Sequence, residues 1–141
     1  MAEIINFFII GEVLKYFLEA VLIVGIAMYL FAHFTAYDEI KEIWSGGQNG
    51  EGNIAIAIDY SAKLIAISRI VAAAILVCHG MVAVAVWGFF GIFMLLAAFK
   101  CLEHFMNNSG AAALQEGRIA RGIFSAGLSL SIMFIVTAVI S

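Results

Sequence analysis

The chain has 141 residues, of which 65% are hydrophobic and only 12% are charged, and its formal net charge is −3. Soluble domains average roughly half apolar and a quarter charged residues, so this chain has too few polar side chains to cover its surface in water. The composition therefore predicts an integral membrane protein. The absence of a basic tail gives no support for nucleic acid as a partner.

Four apolar runs are each long enough to cross a bilayer, because a hydrocarbon core of about 30 Å needs about 20 helical residues. The first includes residues 17–34, and the others cover about 53–78, 81–99 and 118–140. The runs are continuous rather than alternating, which favours helices over membrane-spanning strands. The N-terminus lacks the positive start of a signal peptide, so we expect no cleavage.

The connections between these spans differ in length. A polar link of residues 35–52 joins the first two spans and another of residues 100–117 joins the last two, whereas only CHG (78–80) separates the second from the third. The whole chain is therefore predicted to form one transmembrane domain. It consists of two helical hairpins, about 7–78 and about 81–140, with both long links on one face of the membrane.

Basic residues are concentrated on or beside the two links, at Lys41, Lys100, Arg118 and Arg121. The opposite face, which carries both termini, has at most Lys15. The positive-inside rule then places the links in the cytoplasm and the termini outside it.

The two hairpins resemble each other at an offset of 65 residues. EGNIAIAI (51–58) aligns with EGRIARGI (116–123), and YLFAHFTAYDE (29–39) with MLLAAFKCLEH (94–104). Because the offset contains two crossings, the copies would be parallel, as in one known class of transporter repeats. Chance likeness between apolar helices is the alternative, and matches at polar link positions argue against it. The predicted fold class is all-α, an integral membrane four-helix bundle of two parallel helical-hairpin repeats.

The segments FTAYDEIKEI, EGNIAIAI and EGRIARGIFSAGLSL resemble the YjfL-like family of small four-span bacterial inner-membrane proteins, also called domain of unknown function three-fifty. The resemblance covers about Ile23 to the C-terminus. It implies the four-span fold and the bacterial inner membrane, but no reaction or substrate. The chain departs from the family pattern at Ala36, where proline is common, at Arg118, where asparagine is usual, and in the charges of its second span.

The second span carries Asp59, Lys63 and Arg69. An ionisable group near the bilayer centre costs at least about 2.5–3.5 kcal/mol, so each needs a partner or water. Asp59 and Lys63 are four residues apart and can pair on one helix face. Counted from the link face, Arg69 lies about 24 Å deep and Glu19 of the first span about 22 Å deep. This match predicts a Glu19–Arg69 ion pair between adjacent helices.

These four charged residues, Glu19, Asp59, Lys63 and Arg69, are the predicted functional site. The counterparts of the second-span charges in the second repeat are Phe124, Leu128 and Phe134, so a pore lined equally by both copies is not expected. We predict a non-enzymatic accessory or structural subunit that oligomerises or docks into a membrane complex through these charges. The alternative is a small oligomeric channel or transporter whose path they line. Snorkelling of Lys63 or Arg69 to lipid headgroups is also open.

The sequence carries no HExxH, GxSxG, phosphate-binding loop or cysteine cluster, so we expect no enzyme activity, no metal and no cofactor. Cys78 and Cys101 are interpreted as buried apolar fillers. His33, His79 and His104 are interpreted as interfacial residues rather than haem ligands. Membrane lipids, further copies of the chain or other membrane subunits are the expected partners.

Small residues recur at four-residue spacing in the fourth span, where Gly122 aligns with Ala126 and Ser125 with Ser129. Such residues let helices approach closely. Packing inside the bundle is the favoured interpretation, and a contact between subunits is the alternative.

Reporter fusions at the C-terminal Ser141 test the predicted orientation. A phosphatase that is active only outside the cytoplasm should be active there, and a fluorescent protein that folds only inside should be dark, because the basic links are retained in the cytoplasm. The opposite pattern would overturn the assignment.

Overall fold

The computed structural model describes residues 2–35, 38–45, 52–78, 80–105 and 109–141. Its described part is helical, without a strand. The helices are α1 (Ala2–Phe34), α2 (Glu39–Ser45), α3 (Ile54–Val77), α4 (Met81–Phe105), α5 (Ser109–Gln115) and α6 (Ile119–Ile140). The predictions for Ala36, His79 and residues 46–51 of the first link fall outside the described residues.

Four of these helices, α1, α3, α4 and α6, are long and apolar enough to cross a membrane. At 1.5 Å per residue, the 24 residues of α3 extend about 36 Å, which exceeds a hydrocarbon core of about 30 Å. The predicted all-α, four-helix membrane architecture is therefore confirmed. Helix α4 continues past residue 99, the end of the predicted third span, to Phe105.

Helix α3 is the centre of the bundle. It contacts α1, α4 and α6, and its contact with α6 is the most extensive in the described structure. Helix α4 also contacts α1 and α6, so these two flank the α3–α4 pair. The core includes Ile23, Ala27 and Phe31 of α1, Ile67 and Ile70 of α3, Ile92 and Leu95 of α4, and Met133 and Val136 of α6.

The absence of a side chain at Gly122 allows α6 to lie directly against α3. A methyl group at this position would come within 2.5 Å of the carbonyl oxygen of Ala55 and 2.9 Å of its Cα. These are backbone atoms that cannot move aside cheaply. Ser125, Ala126 and Ser129 are also buried. The small-residue face of the fourth span therefore packs inside the chain.

Asn53 joins the two links at one end of the bundle. Its Oδ1 accepts a hydrogen bond from the backbone N–H of Ile56 and caps α3. Its Nδ2 donates to the carbonyl oxygens of Leu114, at 2.8 Å, and Gln115, at 3.2 Å, where α5 ends. Arg118, which precedes α6, makes no such side-chain cap. The backbone N–H of Asn53 also donates to the carbonyl oxygen of Glu42 in α2, at 3.2 Å, so Asn53 connects α2 and α5 at the start of α3.

The α3–α6 contact can be tested with two matched glycine substitutions. Gly122→Ala should lower the free energy of unfolding by about 1–3 kcal/mol, because the new methyl group overlaps the Ala55 backbone. Gly127→Ala is the control, since nothing lies within 4 Å of a methyl group there. It should be neutral or stabilising by up to about 1 kcal/mol. Unfolding in detergent micelles measures both, and equal effects would contradict the proposed close contact.

Candidate functional site

Lys63 lies between two carboxylates in the interior of the bundle. Its Nζ is 2.6 Å from Oε1 of Glu39 and 2.7 Å from Oδ2 of Asp59. None of the three side chains has exposed surface. The Asp59–Lys63 pair predicted from their spacing is present. Glu39 is a second partner of Lys63 that was not predicted. Glu39, Asp59 and Lys63 are called the charge cluster below.

Two aromatic rings close the apolar side of the charge cluster. Nζ of Lys63 lies 4.4 Å from the ring centre of Phe99 in α4 and 5.5 Å from that of Phe31 in α1. A cation within about 6 Å of a ring centre is attracted by the ring's electrons. The rings are themselves in edge-to-face contact, with centres 6.2 Å apart. They favour the charged lysine while separating it from lipid.

Two hydroxyl groups, from Ser125 and Thr35, also reach the carboxylates. Ser125 of α6 donates a hydrogen bond to Oδ1 of Asp59. The Oγ1 of Thr35, which follows α1, lies 3.4 Å from Oε1 of Glu39 and also donates to the carbonyl oxygen of Phe31. Ser125, predicted from spacing as a packing residue, thus has a polar role as well. Every spanning helix contributes at least one group to the charge cluster or its lining.

The start of α2 positions Glu39 over the bundle. Helix α1 ends at Phe34, and Asp38 precedes the first residue of α2. Oδ1 of Asp38 accepts a hydrogen bond from the backbone N–H of Lys41 at 3.1 Å, and this bond caps α2. Aspartate is among the residues most favoured at a helix start for this reason. The cap fixes Glu39 in the first turn of α2, where its side chain is buried against α3.

The charge cluster has one more negative than positive charge when all three groups are ionised. The side chain of Glu39 is fully buried, and its second carboxylate oxygen, Oε2, has no hydrogen-bond partner among the described residues. Buried carboxylate oxygens are normally paired, because a charged group separated from water is costly. The charge cluster is therefore polar, enclosed and incompletely satisfied.

The predicted ion pair between Glu19 and Arg69 is not formed. Arg69 is exposed, Glu19 is half-buried, and no ion pair joins the two in the described structure. That prediction used only the depth of Glu19 and Arg69 along their helices. Whether two side chains meet also depends on the direction in which each one points around its helix axis. The groove between α1 and α3 is lined from α3 by Ser68, Val71, Ala72 and Ile75. Arg69 is turned about 100° from Ser68 around the helix.

The histidine and cysteine predictions have mixed outcomes. His33 and His104 are exposed in the last turns of α1 and α4, and their interfacial position stays a prediction. Cys78 is half-buried, but Cys101 is exposed, so its interpretation as a buried filler was wrong. The described residues contain no group of three His, Cys, Asp or Glu side chains that could hold a metal ion.

Replacement of the buried ammonium tests the importance of the charge cluster. Lys63→Met should lower the free energy of unfolding by about 3–5 kcal/mol, because it leaves two carboxylates buried without a counter-charge. Adding Glu39→Gln and Asp59→Asn should recover most of this loss.

Lys15→Met is the matched control, since Lys15 pairs with Glu12 at 2.7 Å but is 57% exposed. An exposed pair contributes up to about 1 kcal/mol. Equal losses for the two lysine variants, measured by unfolding in detergent, would contradict a structural role for the charge cluster.

The chain matches the family model described as Domain of Unknown Function (DUF350) over residues 4–140, nearly its whole length. No curated protein and no solved structure matches it. The resemblance noted in the two links and in the entries to the second and fourth spans thus extends through all four membrane helices. The chain belongs to the DUF350 family.

Proposed function

We propose that the protein is a non-enzymatic membrane subunit that assembles with a second copy of itself through α1 and α3. In this assembly, Arg69 of one copy meets Glu19 of the next. The observation that carries the proposal is Arg69, an exposed arginine in a spanning helix with no ion pair among the described residues. The proposed location is the bacterial inner membrane, with both termini outside the cytoplasm.

The position of Arg69 along α3 explains why it needs a partner. It lies eight residues before the last residue of the helix, Val77, and so about 12 Å from that end. A charged side chain inside the hydrocarbon region costs at least about 2.5–3.5 kcal/mol, and such residues usually pair or face a protein surface. A carboxylate on a neighbouring subunit would meet this requirement.

Glu19 supplies that carboxylate at a matching height. Its side chain is only half-buried and makes no ion pair among the described residues. Counted from the link face, Glu19 of α1 lies about 22 Å along and Arg69 of α3 about 24 Å along. An axis along the membrane normal relates copies without changing height. Glu19 and Arg69 do not pair within one chain, but their equal height allows Glu19 of one copy to pair with Arg69 of a neighbouring copy.

The surface beside these residues is suited to close helix packing. An apolar groove runs between α1 and α3, and small residues such as Gly25, Ser68 and Ala72 are part of its lining. Small residues allow helices from neighbouring subunits to approach closely in a membrane. Asp59 and Lys63 were also predicted to lie at an interface with a partner, but both side chains are enclosed within the chain. Assembly therefore relies on Arg69 and Glu19.

Native mass spectrometry of the protein in lipid nanodiscs tests this assembly. The wild-type chain should form oligomers, and Arg69→Glu or Glu19→Arg alone should weaken association at least about tenfold, equivalent to about 1.4 kcal/mol. The double variant Arg69→Glu with Glu19→Arg should recover association, because it restores opposite charges across the interface. Arg118→Leu is the control, since Arg118 is exposed and pairs with Glu116 in the second link.

Two results would contradict the proposal. One is a monomeric wild-type chain in native lipid, and the other is failure of the double variant to recover association. If a different membrane protein co-purifies with the wild type but not with Arg69→Leu, the partner of Arg69 is that protein rather than a second copy of the chain.

A further inference from the structure

We propose that the outer face of the short helix α2 is a lipid-contact surface in the leaflet at the link face. In this arrangement, Ile40 reaches the acyl chains and Trp44 lies at the level of the headgroups. The surface involves neither Arg69 nor Glu19, so it goes beyond the proposed assembly and is tested independently of it.

Helix α2 has two faces of different character. Glu39 and Ile43, four residues apart, lie on the inner face: Glu39 is fully buried, and Ile43 packs against the start of α3 and the end of α5. Ile40 and Trp44, also four residues apart, are 53% and 84% exposed. The two faces are about 100° apart around the helix axis. One side of α2 therefore belongs to the core, and the described residues leave the other, apolar side uncovered.

Contacts with α3 set the depth at which α2 begins. Oε1 of Glu39 is 2.6 Å from Nζ of Lys63. Lys63 lies ten residues after Asn53, about 15 Å along α3, and its side chain points back only part of this distance. The end of α1 is at a similar depth, because Oγ1 of Thr35 is 3.4 Å from Oε1 of Glu39. Helix α1 therefore ends, and α2 begins, below the level at which α3 starts.

The last turn of α2 lies at the start of α3. The carbonyl oxygen of Glu42 accepts a hydrogen bond from the backbone N–H of Asn53 at 3.2 Å. Gly52 lies so close to the carbonyl oxygen of Ile43 that a methyl group on it would overlap that oxygen. Helix α2 therefore runs along α3 from the charge cluster to the start of α3, and its outer face covers the same range of depth.

This range of depth contains the boundary between acyl chains and headgroups. The 24 residues of α3 extend about 36 Å, so each end of a centred α3 projects about 3 Å beyond a hydrocarbon core of about 30 Å. The start of α2 then lies within the hydrocarbon region, and its end lies at the boundary. Trp44 is one turn beyond Ile40, and tryptophan is enriched at this boundary because its ring is apolar and its N–H is polar. The outer face of α2 is therefore suited to lipid.

Contact with lipid connects the leaflet to the charge cluster. The helix that presents Ile40 and Trp44 on its outer face also places Glu39 on Lys63. Movement of α2 away from the bundle into water would withdraw both apolar side chains from the bilayer, which is unfavourable. The leaflet therefore helps to hold Glu39 on Lys63.

The fluorescence of Trp44 tests the proposed depth in the full chain reconstituted in phosphatidylcholine vesicles. The chain has two tryptophans, so Trp87→Phe leaves Trp44 alone. Phospholipids with bromine just below the headgroup should remove about half of its emission, because indole at the boundary contacts them. Bromine near the ends of the acyl chains and iodide in the water should each quench less. The difference between the wild type and Trp44→Phe gives the same quantity if Trp87→Phe fails to fold.

Two other quenching patterns would overturn the lipid-contact surface. Stronger quenching by iodide than by either brominated lipid would place Trp44 in water. Weak quenching by all three would show that a protein surface, such as a second copy of the chain, covers Trp44 instead of lipid.

Hydrogen–deuterium exchange in nanodiscs of the same lipid tests the connection to the charge cluster. Ile40→Ser with Trp44→Ser should speed amide exchange in α2 at least about tenfold, equivalent to about 1.4 kcal/mol. Phe105→Ser is the control, because Phe105 is also exposed, at 79%, but lies at the end of α4, and it should leave exchange in α2 unchanged. Equal exchange in α2 of the wild type and the double variant would contradict a role for lipid in holding α2.

Discussion

The ammonium of Lys63, held between two carboxylates away from water and lipid, is the interaction on which the rest of this structure depends. Its partners come from different elements: Asp59 from its own helix and Glu39 from the short helix of the first link. A buried charge is tolerable only when its neighbours are placed to satisfy it. The position of Lys63 therefore fixes where α2 lies on α3 and which faces of α1, α4 and α6 turn inward.

The close α3–α6 contact and the charge cluster support each other. Gly122 brings the backbone of α6 against Ala55, and one turn further along α6 the hydroxyl of Ser125 donates to Asp59. A larger residue at position 122 would push α6 away and withdraw that donor. Between helices in a membrane, close packing and buried hydrogen bonds replace the hydrophobic driving force that water supplies to soluble proteins. The close contact at Gly122 and the hydrogen bond from Ser125 to Asp59 both lie along the same stretch of α3 and α6.

The fold could largely be predicted from the sequence, because length and hydropathy alone identify helices that cross a bilayer. The Asp59–Lys63 pair also followed from spacing, since four residues make one helical turn. Glu39 was not predicted, because a polar link is expected to be exposed. It nevertheless lies only five residues after Phe34, the end of the first span, and its Oε1 is 2.6 Å from Nζ of Lys63. The Glu19–Arg69 pair was predicted from height, and it failed because sequence height carries no information on rotation about the helix axis.

The buried ion pair is tested most directly by the distance between the Lys63 Nζ nitrogen and the Glu39 side-chain carboxyl carbon in the lipid-embedded protein. Solid-state NMR on a sample labelled with ¹⁵N-lysine and ¹³C-glutamate provides it, with Lys63→Arg to assign the signal. Direct contact is expected from the 2.6 Å separation of Nζ and Oε1, together with slow exchange of the ammonium protons with water. A Lys63 signal that exchanges freely and shows no proximity to Glu39 would contradict it.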